Sequence, residues 1–145
     1  MDENIELLKH IYEDAEMAAF TLTQTLEDLK HKDNKIKDGV EDVLKGYERY
    51  KEEAGRSLET RGEEPKETGS MSKMGASMGI KKEIKADNSD SSVADMLIKG
   101  ISMGSIDMEK KISAYEKSVD KEILEFAKDF KKFQEENMEV FKKYL

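Results

Sequence analysis

Carboxylates are the side chains best able to do chemistry in this sequence. It has no cysteine and two histidines, so thiolate and most nucleophile chemistry lack their residues. Acidic side chains are abundant, and oxygen ligands can bind iron or manganese. Four glutamates flank the apolar stripes of the helices predicted below and lean toward the interior: Glu16, Glu48, Glu109 and Glu136. They are candidate ligands of an iron or manganese site, in a metal-binding protein or an oxidoreductase.

His10 is the second place where chemistry is conceivable. It lies within one helical turn of Glu6, Glu13 and Asp14, so a small carboxylate–imidazole metal site could form there. Its position opposite the apolar stripe of the same helix predicts exposure to solvent. We therefore expect a charged surface turn rather than a metal site.

A polar layer is predicted between the last two long helices. Ser105 and Asn137 interrupt otherwise apolar stripes, and Ser102 and Gln134 fall at a similar height when the two helices fold back on each other. A satisfied hydrogen-bond network that fixes helix register is the simplest interpretation. The alternatives are a remnant of a lost metal site and a pocket for a small polar ligand.

Methionines and lysines characterise the central segment of the chain. Met71, Met74 and Met78 could offer thioethers to Cu(I), but methionine more often fills irregular gaps, so we expect them to pack against the bundle. Five lysines surround them: Lys66, Lys73, Lys81, Lys82 and Lys85. A basic amphipathic helix could also rest on an anionic membrane. Gly75 and Gly79 weaken its apolar face and argue against that alternative.

Apolar residues spaced three and four apart predict the helices that position these groups. The predicted long helices span about 3–31, 35–61, 92–117 and 120–144, with a start signal at Ser92. Residues 62–91 form a crossover with a short helix at about 70–86. All five tyrosines fall on the stripes, where we expect core packing. The sequence thus predicts a single all-α domain over residues 1–145, an antiparallel four-helix bundle.

Charge and hydropathy restrict the partners. The net charge of −8 disfavours nucleic acid. No apolar run is long enough for a transmembrane helix, and the acidic N-terminus does not look like a signal peptide, so the expected location is the cytoplasm. Apolar residues outside the narrow stripes could widen a monomer core or form the face of a homo-oligomer or protein partner: Ile11, Leu44, Leu97 and Phe141.

Two antiparallel helix pairs joined by one long crossover are also the connectivity of ferritin-like bundles. A Gly/Ser-containing crossover with a short helix at 69–86, the sequence Ala-Tyr-Glu-Lys at 114–117 and Gln134 on the last helix sharpen this likeness. The chain resembles an uncharacterised bacterial ferritin-like family, related to rubrerythrin, of domains of unknown function.

The resemblance implies a di-iron site with one Glu from each of two helices and a Glu-x-x-His pair from each of the other two. Neither pair is present: Glu48 is followed three residues later by Lys51, and Glu136 by Glu139. The inward position of the third helix is Ser105. The resemblance therefore implies a bundle with a degenerate metal site and no cofactor, in a non-enzymatic structural, stress-related or protein-interaction role.

Overall fold

Five α-helices make up the fold. The computed structural model describes residues 2–145. Its helices are α1 Glu3–Leu29, α2 Lys37–Thr60, α3 Ser70–Ala86, α4 Asp90–Tyr115 and α5 Lys121–Lys142. The described part contains no strand, which confirms the all-helical prediction, and every helix lies within a few residues of its expected range. No helix in residues 2–145 is both long and apolar enough to cross a membrane.

The start of α4 differs from the prediction. The cap is Ser89 instead of Ser92, because the Ser89 hydroxyl accepts a hydrogen bond from the backbone N–H of Ser92 at 3.2 Å. Asp90 then occupies the first turn, where the helix dipole favours a carboxylate. It accepts hydrogen bonds from the Asn34 side chain at 2.9 Å and the backbone N–H of Ile36 at 3.3 Å. These contacts fix the start of α4 to the turn between α1 and α2.

The first two helices are antiparallel and the crossover returns along them. The Lys51 ammonium on α2 lies 5.9 Å from the centroid of the Tyr12 ring, so the second half of α2 faces the first half of α1. α3 packs along α1, where Lys73 pairs with Glu16 at 2.9 Å. The crossover thus brings the chain back to the α1–α2 turn before α4 begins.

The last two helices complete the bundle. α4 runs antiparallel to α1, and near its end the Tyr115 hydroxyl donates to the Glu6 carboxylate at 2.9 Å. The chain reverses before α5, where the backbone N–H of Asp120 donates to the Asn4 side chain at 2.8 Å. α5 packs against α4 and α2. The four long helices therefore point up, down, down and up, with α3 outside.

An aromatic cluster holds α2 against α5. Tyr47 and Phe130 are almost completely buried, with ring centroids 6.0 Å apart in an edge-to-face arrangement. Phe133 lies 4.9 Å from both Tyr47 and Tyr50, and Phe126 closes the cluster 5.7 Å from Tyr50. Aromatic pairs in such geometry add about 0.5–1.5 kcal/mol each beyond the area they bury.

Gly46 lets this cluster form, and its replacement should destabilise the protein. A Cβ at this position would overlap the edge of the Phe133 ring, which is held between two tyrosines. Overpacking costs about 1–3 kcal/mol, of which better helix propensity recovers about 1 kcal/mol. We expect Gly46→Ala to lower the free energy of unfolding by up to about 2 kcal/mol in urea titrations. The matched Gly79→Ala, where a Cβ meets nothing within 4 Å, should instead raise it by about 1 kcal/mol. Equal effects would contradict this account.

The methionines of α3 do not pack as expected. Met71, Met74 and Met78 are 87%, 63% and 65% exposed, while Ile80 and Ile84 are buried. The first half of α3 is attached by polar contacts instead of apolar ones, chiefly the ion pair to Glu16 and a hydrogen bond to Gln24. Hydropathy therefore does not mark its buried face, and the prediction that the methionines pack against the bundle is wrong.

Candidate ligand-binding cavity

The four candidate metal carboxylates are not brought together. Glu48, Glu109 and Glu136 are exposed, so the prediction that they lean inward is wrong. Each lies beside an apolar stripe, on a side of its helix that faces water. No group of three or more His, Cys, Asp or Glu side chains in residues 2–145 is placed to hold a metal ion.

Glu16 is buried, as its position suggested, but it binds the crossover. Only 3% of this residue is exposed. Its two carboxylate oxygens accept the backbone N–H of Thr68 at 3.0 and 3.1 Å, and the ammonium of Lys73 lies 2.9 Å away. Buried carboxylates require such partners. Glu16 therefore anchors the beginning of α3 to α1.

The predicted polar layer is buried but unevenly satisfied. Ser105, Gln134 and Asn137 are buried, and Ser102 is half-buried. The Gln134 carbonyl oxygen and the Asn137 amide nitrogen have no hydrogen-bond partner within residues 2–145. The expected satisfied network is thus not formed by these side chains, although their burial is as expected.

Gln134 reaches toward Tyr47 instead of toward the serines. A hydrogen bond from its amide to the Tyr47 hydroxyl works to lower the pKa of that phenol. A Cβ on Gly104 would lie only 3.1 Å from the Gln134 amide nitrogen, so this glycine leaves room for the side chain. Nε2 is therefore engaged, and the unpartnered Oε1 remains as a buried acceptor.

A cavity of about 290 Å³ lies beside this residue, bounded by α1, α2, α4 and α5. Its wall is mostly apolar and includes three methionines: Met17, Met96 and Met103. Gly100 and Gly104, one helical turn apart on α4, remove side-chain volume on the same side. Four polar side chains line this space: Asp14 and Thr21 of α1, Tyr47 of α2 and Gln134 of α5.

Asp14 is the most perturbed carboxyl that lines the cavity. Burial, followed by the charges of Asp107 and Glu13, raises its pKa to about 7, and a hydrogen bond with Asp107 acts in the same direction. Lys111 opposes the shift but does not cancel it. The Oδ2 atom of Asp14 is buried without a hydrogen-bond partner in the described chain. Near neutrality Asp14 is therefore partly protonated.

The same surroundings also shift the pKa of Tyr47. Burial raises its pKa well above the ordinary value for a phenol, and the nearby charge of Asp14 adds to the shift. Its hydroxyl consequently stays protonated at physiological pH. Tyr47 can bind and orient a ligand, but it is a poor base or nucleophile.

His10 is half-buried against α4, so the prediction of a solvent-facing side chain is wrong. Its ring centroid lies 6.3 Å from that of Tyr115. Burial lowers its pKa, and the charge of Lys111 adds to this. The side of α1 opposite the stripe that faces α2 is covered by α4, which a single-helix pattern does not reveal.

Sequence reasoning found Gln134 but missed the other polar groups of the cavity. Asp14 was noted only as a neighbour of His10, Tyr47 only as a core residue, and Thr21 was not singled out. The spacing of Gly100 and Gly104 on a helix that is otherwise well formed was the available signal, because paired small residues on one face leave space beside a helix.

Comparison with known proteins does not place the chain in a family. No family model matches the sequence, and no significant similarity to a curated protein or to a solved structure was found.

Proposed function

We propose that this protein is a non-enzymatic binding protein that holds a small, mostly apolar molecule in the cavity between α1 and α4. The observation that carries the proposal is the combination of an apolar wall with two buried, unpartnered acceptors, Asp14 Oδ2 and Gln134 Oε1. Ligand sites are concave, largely apolar and carry few convergent polar groups. A volume near 290 Å³ suits a molecule of on the order of ten non-hydrogen atoms.

The energetics support binding. A buried polar atom without a partner costs about 1–3 kcal/mol, and two such atoms share this cavity. A ligand whose head group donates hydrogen bonds would satisfy both, while its apolar part would cover the methionine-lined wall. The protonated state of Tyr47 at physiological pH favours binding over covalent chemistry at its hydroxyl.

We also propose that the architecture is ferritin-like, as the sequence resemblance implied. The up-down-down-up order of the long helices and the crossover that carries α3 support this. The donor set does not fit a di-metal centre: Glu48, Glu109 and Glu136 face water, and Glu16 is engaged by Thr68 and Lys73. A small-molecule cavity would then occupy the part of the bundle where ferritin-like proteins hold metal.

The methionine methyl groups give a direct test of the cavity. Carbon-13-labelled methyl resonances are recorded while hexan-1-ol, hexylamine or hexanoate is added. At least one compound should shift Met17, Met96 and Met103 saturably and leave Met71 and Met74 unchanged, because the latter two lie on α3 and do not line the cavity.

A filled cavity provides the control for this experiment. A Cβ at Gly100, a lining residue, meets nothing within 4 Å, so Gly100→Leu should fold and partly occupy the space. We expect it to weaken binding at least tenfold, whereas Gly79→Leu on α3 should leave binding unchanged. Absence of saturable shifts with all three compounds, or unaltered binding by Gly100→Leu, would refute the proposed function.

A further inference from the structure

We infer that the ligand of this cavity carries an ammonium group, which is held by the Asp14 carboxylate and by Gln134 Oε1, the two buried acceptors without a partner. The inference rests on the proposed function and names the chemical class of its ligand.

Both unpartnered atoms at the cavity are hydrogen-bond acceptors. Asp14 Oδ2 and Gln134 Oε1 are each buried, and Gln134 is only 2% exposed. The Gln134 side chain interacts with the Tyr47 hydroxyl, and its carbonyl oxygen is the atom that is buried without a partner. Acceptors need donors, and an ammonium group supplies three. A hydroxyl supplies one donor, and a carboxylate supplies none.

The charges around Asp14 also select a cation. From α1 it is faced by Glu13, and from α4 by Asp107 and Lys111, while α2 offers the neutral Tyr47 and α5 contributes the uncharged Gln134. Three carboxylates oppose one lysine. An anionic head group would be repelled, and a positive one stabilised by the low dielectric of the site.

The rest of the cavity selects an organic cation over a metal ion. Its wall is formed chiefly by apolar side chains of α1 and α4, with Leu22, Leu97 and Ile101 facing the methionines. Hard divalent cations take six or more oxygen ligands, which this wall does not offer. An alkyl or aryl amine matches both ends of the site, with its charged head at Asp14 and its apolar body along the methionines.

Binding of the ammonium should release a proton. When R–NH₃⁺ enters, the carboxyl proton of Asp14 leaves to solvent, so the charge of the site is conserved. The amine itself stays protonated, since ordinary amines titrate near pH 10. The other nearby group that titrates near neutrality, His10, has a lowered pKa and changes charge at a lower pH than Asp14 does.

The ionisation of Asp14 determines how the affinity for an amine changes with pH. Because the pKa of Asp14 is about 7, its ionised fraction rises roughly tenfold between pH 6 and pH 8. The affinity for an amine should rise by about the same factor over that interval. Affinity for a neutral molecule of equal length should not rise, because it does not need the ionised form.

The experiment compares hexylamine with hexan-1-ol at pH 6 and pH 8 by methionine-methyl titration and by calorimetry in two buffers of different ionisation enthalpy. We expect hexylamine to bind about tenfold more tightly at pH 8 than at pH 6, with about half a proton released at pH 7. Asp14→Asn should abolish the pH dependence and the proton release. Glu109→Gln, which removes an exposed carboxylate elsewhere on α4, should retain both.

The possible results distinguish a failure of the ammonium inference from a failure of the proposed function. If hexan-1-ol binds as tightly as hexylamine at pH 8, or if amine binding releases no proton, the ammonium inference is overturned while the cavity remains a binding site. If neither compound nor hexanoate binds, both are overturned. Unfolding of Asp14→Asn would not obscure the result, because hexan-1-ol binding reports an intact cavity in the same variant.

Discussion

The Asp14→Asn variant is expected to be more stable than the native protein at pH 8, by up to about 4 kcal/mol, and about equally stable near pH 4. The pKa of this carboxyl is raised to about 7 in the folded chain. In an unfolded chain an aspartate titrates near pH 3.9. The native state therefore holds the proton more tightly than the unfolded state does, and stability falls as pH rises from about 4 to 7. Asparagine has the same shape and never becomes charged, so it escapes this loss.

Urea unfolding followed by circular dichroism at pH 4, 6, 7 and 8 measures the effect. The informative quantity is the difference in unfolding free energy between variant and native protein, because other carboxylates affect both chains alike. This difference should grow through the interval from pH 4 to 7 and then level off. Glu109→Gln should show no such trend, since that carboxylate is exposed. A constant difference, or a variant less stable than the native protein at pH 8, would show that the pKa of Asp14 is not raised in the folded protein.

A destabilising carboxyl of this kind is informative about function. The cavity wall offers apolar neighbours that would pack well against a leucine at position 14, yet an aspartate stands there beside Asp107. Groups that reduce stability concentrate at binding and catalytic sites, where activity needs them. The proposed ligand site gives a reason for this cost, because an ionised Asp14 keeps an acceptor free for a ligand.

The helices were predictable from the sequence because burial on one face imposes a spacing of three and four residues. This periodicity located all five helices, and short connections predicted which neighbours are antiparallel. For α3 the apolar spacing predicted the helix but not its buried face. Lys73 and Ser77 attach this helix through polar contacts, and Met78 faces water. When a helix is attached by an ion pair, polar residues form its buried face, and a hydropathy pattern assigns such residues to the surface.

The cavity was less predictable because it depends on how helices are rotated against each other. Glu48 and Asp14 both flank an apolar stripe, and one sequence cannot tell which flank meets a neighbouring helix. In the fold α4 covers the flank of Asp14 and His10, whereas the flank of Glu48 stays in water. Buried Gln134 was found because it interrupts a stripe itself. The burial of a residue on an apolar stripe can therefore be predicted from one helix. The burial of a residue beside the stripe depends on how a neighbouring helix packs against it.

The aromatic cluster between α2 and α5 should account for much of the stability, and Phe130→Ala tests this. Phe130 is fully buried, and its ring centroid lies 5.2 Å from that of Tyr50 and 6.0 Å from that of Tyr47. Replacement of a buried phenylalanine by alanine costs about 3–5 kcal/mol through lost burial and the space left behind. For a chain of this length we expect the melting temperature to fall by roughly 10–15 °C.

Phe126→Ala is the matched control, because Phe126 belongs to the same cluster but is only half-buried. Its loss should be about half as large, in proportion to the apolar area it removes from water. The Phe130→Ala loss should also be the same at pH 4 and pH 8, since neither substitution touches a group that titrates in that range. Equal losses at the two positions would place the stabilising contacts elsewhere. A loss that depended on pH would mean that the aromatic cluster and Asp14 are coupled through Tyr47, the member of the cluster that also lines the cavity.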